Sequence, residues 1–326
     1  MAKLEGPAVW RAADIQARAD WRLPVPPAVA QEMTAAARAA AAAGAPAEDV
    51  DRRRLPLPGA EALAGQVHDL LEDGPGFAVL SGLPLDRLAY REQVALALGL
   101  SDHVGQVVPQ NYALQRIVDV RDEGVEYSHR SRGYRSSKAL PFHTDGAHLF
   151  SLTCLGVAAE GGETIVVSGQ AVYNRLAAER PEALAVLAHG FRHHRRGQHD
   201  PGEPPLSPDP IPVFAFRNGL LHVCYNRNPI EWAEREGVRL TTAERAALDA
   251  LDAVLADETM QLRLNLQPGE AAFINNYVTL HSRTEYRDGP GQRRHMLRVW
   301  MRDPASRRGG YSLLDLYVPK SALAAL

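Results

Sequence analysis

Two segments that lie far apart in this chain of 326 residues carry side chains of the types that can bind a transition metal. His143 and Asp145 are separated by a single residue, and His281 lies far downstream. Because residues two apart on a β-strand project from the same face, His143 and Asp145 can reach one ion while Thr144 points away from it. The imidazole of His281 would complete the set, so the fold has to bring this residue beside the other two.

Two neutral imidazoles and one carboxylate on one face of an octahedral ion leave the opposite face open, the arrangement typical of non-heme Fe(II) oxygenases. The His-x-Asp pair alone is a weak signal, because 12 histidines and 39 acidic residues yield roughly one such triplet by chance. A surface turn is therefore the alternative. The metal site is favoured by its context, since the apolar run Leu149-Phe150-Ser151-Leu152 that follows is typical of a buried strand.

A pair of glycines precedes a second predicted strand. Gly161-Gly162 lies just before Thr164 and the run Ile165-Val166-Val167, and such a β-branched run after a turn is typical of a strand. A small hydroxyl that follows a glycine pair can lie close to a ligand and donate one hydrogen bond to a carboxylate. A plain hairpin without a binding role is the alternative.

An arginine-rich segment follows His281 after a polar stretch. In an extended conformation, one face of this segment carries Arg294, Met296, Arg298, Trp300 and Arg302. A guanidinium fits a carboxylate with two parallel hydrogen bonds and keeps its charge, which suits the capture of a dicarboxylate in a partly dry pocket. A charged, solvated edge strand is the alternative, and we favour it for Arg293 and Arg302.

These residues together resemble the taurine dioxygenase-like, or clavaminate synthase-like, group of Fe(II) and 2-oxoglutarate dependent dioxygenases. The resemblance spans roughly residues 76–302. It is carried by His143-x-Asp145, by Gly161-Gly162-x-Thr164, and by His281 with Arg294 thirteen positions later. It implies an α+β fold with a double-stranded β-helix core, also called a jelly roll or cupin-like core, flanked by helices.

The resemblance also implies roles for individual residues. The implied catalytic residues and iron ligands are His143, Asp145 and His281. The implied cosubstrate-binding residues are Thr164, Arg294 and Arg298: the threonine and Arg294 are expected at the far carboxylate of 2-oxoglutarate, and Arg298 at substrate or cosubstrate. Family halogenases replace the acidic ligand with a small residue, whereas this chain keeps Asp145. Hydroxylation is therefore the expected outcome, and desaturation, epoxidation and cyclisation are alternatives that use the same ligands.

The resemblance further implies that the protein is an oxidoreductase that uses Fe(II), 2-oxoglutarate and O2. It would couple oxidative decarboxylation of 2-oxoglutarate to C–H oxidation of a small metabolite or natural-product intermediate. Several arginines in predicted loops, among them Arg132, Arg135 and Arg227, favour a substrate that bears a carboxylate. Two other classes stay open: a zinc hydrolase, which would not need the arginine and the threonine, and a jelly-roll binding protein without catalysis, which would not bind Fe(II).

Composition narrows the setting. The formal net charge of −3 and the dispersed basic residues argue against nucleic acid as a partner. Cys154 and Cys224 are the only cysteines and lie in different predicted strands, so we expect no disulfide framework and a reducing cytoplasm. The sequence has no apolar run of the roughly 20 residues that a membrane helix needs and no signal-peptide pattern. We therefore expect a cytoplasmic protein without membrane contact, and a homo-oligomer is compatible with the sequence.

The chain is predicted to form two units. Residues 1–58 are expected to be an N-terminal helical extension and connector packed on the core, because the Ala-rich stretch 28–45 favours a helix. Residues 59–326 are expected to be the jelly-roll dioxygenase domain with helical insertions. Within it, Asn218-Gly219 predicts a hairpin turn, and Thr241 with Glu244 predicts a capping box. The stretch 271–281 is interpreted as a strand that leads into His281.

Overall fold

The computed structural model of the protein describes residues 3–44, 46–306 and 313–323. Ala45, the last residue of the predicted Ala-rich helix, lies outside the described residues. Residues 1–2, which begin the first predicted unit, and residues 324–326, which end the second, also lie outside them. The helices of the described part are α1 (Ala12–Gln16), α2 (Pro27–Ala42), α3 (Glu61–Glu72), α4 (Tyr90–Val104), α5 (Gly169–Glu179), α6 (Pro181–His189), α7 (Arg227–Trp232), α8 (Thr242–Leu255) and α9 (Lys320–Leu323).

The strands of the described part are short, and most of them belong to two sheets. They are β1 (Arg22–Pro24), β2 (Phe77–Ser81), β3 (Gln106–Val108), β4 (Ile117–Val120), β5 (Leu140–His143), β6 (Leu149–Gly156), β7 (Glu160–Gly161), β8 (Thr164–Ser168), β9 (Phe214–Arg217), β10 (Leu220–Val223), β11 (Leu262–Leu264), β12 (Glu270–Asn275), β13 (Thr279–Arg283), β14 (Tyr286–Arg287) and β15 (His295–Arg302).

The larger sheet has seven strands in the order β1-β2-β12-β6-β15-β3, and β4 also pairs with β15. Its ladders are antiparallel except for the parallel pair of β1 and β2. The smaller sheet has the order β11-β8-β13-β5 and is antiparallel. Two further pairs, β9 with β10 and β7 with β14, form separate two-stranded ribbons. The ligand-bearing strands β5 and β13 are thus neighbours in the smaller sheet.

Side chains that alternate along the strands produce a layered core. Phe150, Ile274 and Trp300 of the larger sheet share one buried cluster with Val166 and Leu264 of the smaller sheet. The two sheets therefore pack against each other, with an apolar interior between them. Complete burial of a side chain as large as Phe150 contributes roughly 2–3 kcal/mol to folding.

Helices cover the outer faces of both sheets. Phe273 and Leu297 of the larger sheet face a buried cluster that includes residues of α2, α3 and α4. Val167 and Leu280 of the smaller sheet face a cluster that includes residues of α5, α6 and α8. The order of layers is helices, larger sheet, smaller sheet, helices, which is a mixed fold of helices and sheets. None of the helices in the described ranges combines the length and the apolar composition that crossing a bilayer requires.

Two local predictions are confirmed. Asn218 and Gly219 connect β9 to β10 with φ angles of 54° and 77°, and positive φ at both positions is typical of a type I′ hairpin turn. Thr241 caps α8 by accepting a hydrogen bond from the Glu244 backbone N–H, and the Glu244 side chain reaches back to the cap residue. Short-range turn and cap chemistry is thus visible in the sequence itself.

The interpretation of residues 271–281 as one strand is wrong. β12 ends at Asn275 in the larger sheet, and β13 begins at Thr279 in the smaller sheet. The side chain of Asn275 stabilises the crossing by donating to the backbone oxygen of Leu71 at 3.1 Å. Every residue from 271 to 281 is buried, so no change of polarity marks the point where the chain leaves one sheet for the other.

Candidate active site

The structure brings the three predicted metal ligands together. Candidate ligand atoms of His143, Asp145 and His281 all lie within 4.8 Å of one another. His143 on β5 and His281 on β13 are directly paired across the strands, and their ring centroids are 4.3 Å apart. The Nε2 atom of His281 lies 4.0 Å from Oδ2 of Asp145. The intervening Thr144 bonds to the backbone of Tyr225 instead.

Asp145 lies beyond the end of β5, and residues from the larger sheet and the crossing hold it in place. Its backbone N–H donates to Oδ1 of Asn276 at 2.9 Å. Its carboxylate accepts from Nη1 of Arg298 at 3.0 Å and from Nε1 of Trp300 at 3.0 Å. Sequence reasoning missed the parts that Asn276 and Trp300 play here. Trp300 could have been found, because it shares a strand face with Arg298.

The protonation states of these three side chains suit a divalent metal. Burial lowers the pKa of His143, and burial together with the neighbouring His143 puts the pKa of His281 well below its usual value. Burial alone would raise the pKa of Asp145, but the neighbouring side chains, foremost the positively charged Arg298, outweigh it, so this pKa lies below its ordinary value. Neutral imidazoles and an ionised carboxylate are the forms that bind metal.

The histidine hydrogen bonds point the same way. Nδ1 of His143 lies 2.8 Å from the carbonyl oxygen of Pro141. With a proton on Nδ1, that contact fixes the tautomer and leaves Nε2 as a lone-pair donor. Nδ1 of His281 is buried and makes no hydrogen bond within the described part of the chain. The donor set and its unsatisfied atom both fit a metal ion.

Arg294, the glycine pair and Thr164 form a second constellation. Arg294 is 2% exposed, and its Nε donates to the carbonyl oxygen of Gly162 at 3.0 Å. Gly162 has a φ of 79°, and a Cβ there would lie 2.7 Å from Cδ of Arg294. The absence of a side chain at this position therefore leaves room for the Arg294 side chain. Thr164 and Arg294 line one cavity of about 310 Å³. The Nη1 atom of Arg294 is buried without a partner among the described residues.

Arg283 belongs to the same neighbourhood and was missed by sequence reasoning. It is 5% exposed, and its Nη2 donates to the backbone oxygens of Ser136, at 2.6 Å, and of Lys138. Its Cζ lies 5.0 Å from the ring centroid of Tyr286, and Cζ of Arg294 lies 5.3 Å from the same centroid. Burial and then the charge of Arg294 lower the pKa of Arg283 to about 10. Its position two residues after His281 on β13 was the available signal.

Arg298, which is expected to face substrate or cosubstrate, is buried and contacts the candidate metal ligand Asp145. Its Nη1 lies 3.2 and 3.0 Å from the two carboxylate oxygens of Asp145, and its Nε donates to Oε1 of Gln110 at 2.9 Å. The Nη2 atom has no partner within the described ranges. Arg293 is exposed and lies before β15, and Arg302 is half-buried at its end. The prediction of a solvated edge strand for these two residues is wrong, because β15 pairs with β6 on one side and with β3 and β4 on the other.

The layered sheets and the cluster of two histidines and one aspartate place this chain among the dioxygenases, which are oxidoreductases. Within that class, residues 38–300 match the model of the family described as "Taurine catabolism dioxygenase TauD, TfdA family". The chain belongs to this family. The resemblance inferred from the motifs is therefore confirmed.

Relatives with curated names include a synthase and a dioxygenase. The chain is 32% identical over 304 residues to FR-33289 synthase of Streptomyces rubellomurinus, a match that covers 91% of this chain and 89% of the relative. It is 28% identical over 243 residues to uridine-5'-phosphate dioxygenase of an Amycolatopsis species, covering 69% of this chain and 84% of the relative.

Solved structures share the fold at low sequence identity. An asparagine oxygenase in complex with Fe(II), 3-hydroxyasparagine and succinate is 19% identical, with a TM-score of 0.65 over 89% of this chain and 97% of the other. The non-heme iron oxygenase OrfP, in complex with Fe and alpha-ketoglutaric acid, is also 19% identical, with a TM-score of 0.62 over 90% of this chain and 98% of the other.

Proposed function

We propose that this protein is an Fe(II) and 2-oxoglutarate dependent oxygenase. It couples oxidative decarboxylation of 2-oxoglutarate to the oxidation, by default the hydroxylation, of a C–H bond in a small, carboxylate-bearing metabolite or natural-product intermediate. The observation that carries this proposal is the convergence of two neutral imidazoles and one ionised carboxylate, within 4.8 Å of one another. Such a set leaves one side of an octahedral ion open for other ligands.

His143, Asp145 and His281 would hold the ferrous ion. Bound together, the iron and 2-oxoglutarate supply the power to oxidise an unactivated C–H bond with O2. The protein's part is to keep both imidazoles neutral by burial, to keep the carboxylate ionised through Arg298, and to exclude bulk water from the site. The Trp300 N–H and the Arg298 guanidinium, both on β15, keep Asp145 in one orientation.

Arg294 and Thr164 would bind the far carboxylate of 2-oxoglutarate. A guanidinium that is 2% exposed and retains a buried N–H without a partner lacks only an anion to complete its hydrogen bonds. Both side chains line a cavity of about 310 Å³. The solved OrfP complex with Fe and alpha-ketoglutaric acid supports the same pairing of metal and cosubstrate in this family fold. Arg298 would support the site through Asp145 and offer its remaining N–H to substrate or cosubstrate.

We extend the proposal to the architecture. The layered sheets, and the crossing of the chain from β12 to β13 between them, support a double-stranded β-helix, the jelly-roll core, in residues 59–326. Residues 1–58 would be an extension packed on it; β1 adds a parallel strand beside β2, and α2 contacts α4. Cys154 and Cys224 are buried and not joined in a disulfide, in keeping with the cytoplasmic setting that we propose.

The substrate class draws support from relatives. One solved neighbour is an asparagine oxygenase bound to a hydroxylated asparagine, another binds hydroxylated arginine, and one curated relative is named for uridine-5'-phosphate. All three are small, polar and charged molecules. We therefore propose a small charged metabolite as substrate rather than a macromolecule.

Anaerobic addition of Fe(II) and then 2-oxoglutarate tests the proposal directly. We expect a visible metal-to-ligand charge-transfer band in the natural protein and its loss in His143→Ala and in Asp145→Ala. On admission of O2, we expect succinate to accumulate. If the natural protein binds Fe(II) but produces neither the band nor succinate, the chain is no 2-oxoglutarate oxygenase, and a zinc hydrolase or a binding protein would be the next hypothesis.

A further inference from the structure

Arginine side chains also gather beside the candidate metal ligands His143 and Asp145. A cavity that His143 and Asp145 help to line is bordered by three arginines and by aromatic rings. The arginines are Arg132, Arg196 and Arg298, and the rings are those of Tyr127, Tyr134 and Tyr317. Arg132 and Arg196 come from loops outside the sheets. This cavity shares no lining residue with the one that Thr164 and Arg294 line.

The three arginines differ in how their charges are balanced. Arg298 is paired with Asp145 at 3.0 Å. Arg132 makes one hydrogen bond, from Nη1 to the backbone oxygen of Gln110 at 3.3 Å. The guanidinium of Arg196 makes no hydrogen bond or ion pair within residues 3–44, 46–306 and 313–323, although the residue is only 9% exposed and its Nε is fully buried. Two positive charges in this cavity therefore lack a negative partner in the described part of the chain.

Aromatic packing holds both unbalanced guanidiniums beside the metal ligands. Cζ of Arg132 lies 5.1 Å from the ring centroid of Tyr317, and Cζ of Arg196 lies 4.9 Å from the same centroid. Arg132 also lies over Trp300, at 5.8 Å, whose indole N–H donates to Asp145. The attraction of a cation to an aromatic face is weaker than an ion pair and does not replace a missing counterion.

The backbone at Arg196 is strained in a way that directs this side chain. Its φ angle is 52°, in the left-handed region that non-glycine residues rarely adopt. The Arg196 N–H donates to Nδ1 of His194 at 3.0 Å. Such strain is unfavourable and clusters at sites where a side chain is held towards a ligand.

We propose that Arg132 and Arg196 form a binding subsite for a dianionic tetrahedral oxyanion of the substrate, a phosphonate or a phosphate monoester. The proposal rests on the proposed function and refines its substrate class. Arg196 is buried and Arg132 is half-buried, and removing an unpaired charge from water is unfavourable, so two unbalanced guanidiniums call for a ligand that brings two negative charges. A carboxylate brings only one. A tetrahedral dianion brings two, and its three oxygens can accept from two guanidinium forks at once.

Anion binding to the full chain without metal tests this inference. Isothermal titration would measure the Kd of methylphosphonate, monomethyl phosphate and acetate for the natural protein, Arg132→Gln, Arg196→Gln and the control Arg130→Gln, whose side chain is exposed in the same segment. We expect at least one of the two dianions to bind the natural protein at least tenfold more tightly than acetate. We expect its Kd to rise at least tenfold in both test variants and to stay within twofold in the control. The ratio of the two dianions distinguishes a phosphonate from a phosphate ester.

The inference is overturned if acetate binds as tightly as both dianions, or if both test variants bind like the natural protein. Should a glutamine variant unfold, as circular dichroism would show, Arg196→Lys keeps the charge but loses the fork, and a rise in Kd of threefold or more is then expected. No change in Arg196→Lys counts against the subsite. The charge-transfer band tests the proposed function separately, since Arg132→Gln and Arg196→Gln should keep it when iron and 2-oxoglutarate are added without substrate.

Discussion

Two groups of arginines stand out in this fold, and their contrast separates what the sheets provide from what the loops provide. The sheet arginines, Arg283 and Arg294, lie at the end of β13 and just before β15, and backbone oxygens accept hydrogen bonds from both. The loop arginines, Arg132 and Arg196, lie against the ring of Tyr317. Strand register places the first pair, whereas loop packing places the second.

The difference between strand-placed and loop-placed arginines indicates which part of this fold determines substrate specificity. A binding pocket built on strands keeps its geometry when surrounding loops change, which suits a cosubstrate that stays the same throughout a family. Loops vary more readily than strands and carry the contacts that distinguish one substrate from another. We therefore propose that the sheet arginines bind 2-oxoglutarate and that the loop arginines bind the substrate, and the following changes would break or sharpen that division.

The largest effect on turnover should come from replacing the candidate metal ligands, on which both groups of arginines depend. In His143→Ala or Asp145→Ala, we expect turnover to fall by more than the roughly 10–100-fold that loss of a supporting residue costs, because a ligand itself is removed. Succinate formation and Fe(II) binding would measure this, with circular dichroism to verify the fold. Turnover within tenfold of the natural protein would contradict the assignment of the metal site.

Arg294→Ala should act on the cosubstrate alone. Loss of a charge-assisted, two-bond contact is worth roughly 1.5–3 kcal/mol, which corresponds to about a 10–100-fold rise in the KM for 2-oxoglutarate. Steady-state kinetics with Arg293→Ala as the matched control would test this, since Arg293 is the exposed neighbour. Unchanged kinetics in Arg294→Ala would remove the cosubstrate role of the sheet arginines.

Trp300→Phe should separate metal affinity from cosubstrate affinity. The change keeps the aromatic packing but removes the N–H that donates to Asp145 at 3.0 Å. We expect the Kd for Fe(II) to rise by about tenfold, as for other residues that orient a ligand, while the affinity for 2-oxoglutarate of the iron-loaded protein changes less than threefold. Equal losses for both would indicate a general packing defect and not a positioning role.

The smallest effect is expected from Gly162→Ala. The added Cβ would lie 2.7 Å from Cδ of Arg294 at a φ of 79°, and roughly 1 kcal/mol of strain or displacement predicts about a fivefold rise in the KM for 2-oxoglutarate. Gly202→Ala is the matched control, because Gly202 has a φ of 88° and a Cβ there would meet no heavy atom within 4 Å. Anion binding at the loop arginines should not change. If it weakens as much as cosubstrate binding does, the two groups are not separable.

Several parts of the fold could be predicted from the sequence because their causes are local. The hairpin at Asn218-Gly219 follows from backbone conformations that these two residues adopt readily. The capping box of Thr241 and Glu244 satisfies backbone groups within four residues of each other. The predicted extended segment is confirmed as β15, with Arg298 inside it and Arg294 just before it. Both faces of this strand are buried, so alternation alone did not predict which arginines are buried. The crossing after Asn275 could not be predicted, because the residues on both sides of it are equally buried.

The sequence alone determined which side chains are available to the site: His143 and Asp145 two apart, His281, Thr164 after a glycine pair, and Arg294. It could not determine that Arg298 and Trp300 would hold the Asp145 carboxylate, or that Arg132 and Arg196 would meet at Tyr317. Alternation and turn chemistry act over a few residues and are therefore readable from a string of letters. Contacts between a loop, a strand of the other sheet and the C-terminal segment depend on how the sheets pack, and only the tertiary structure decides them.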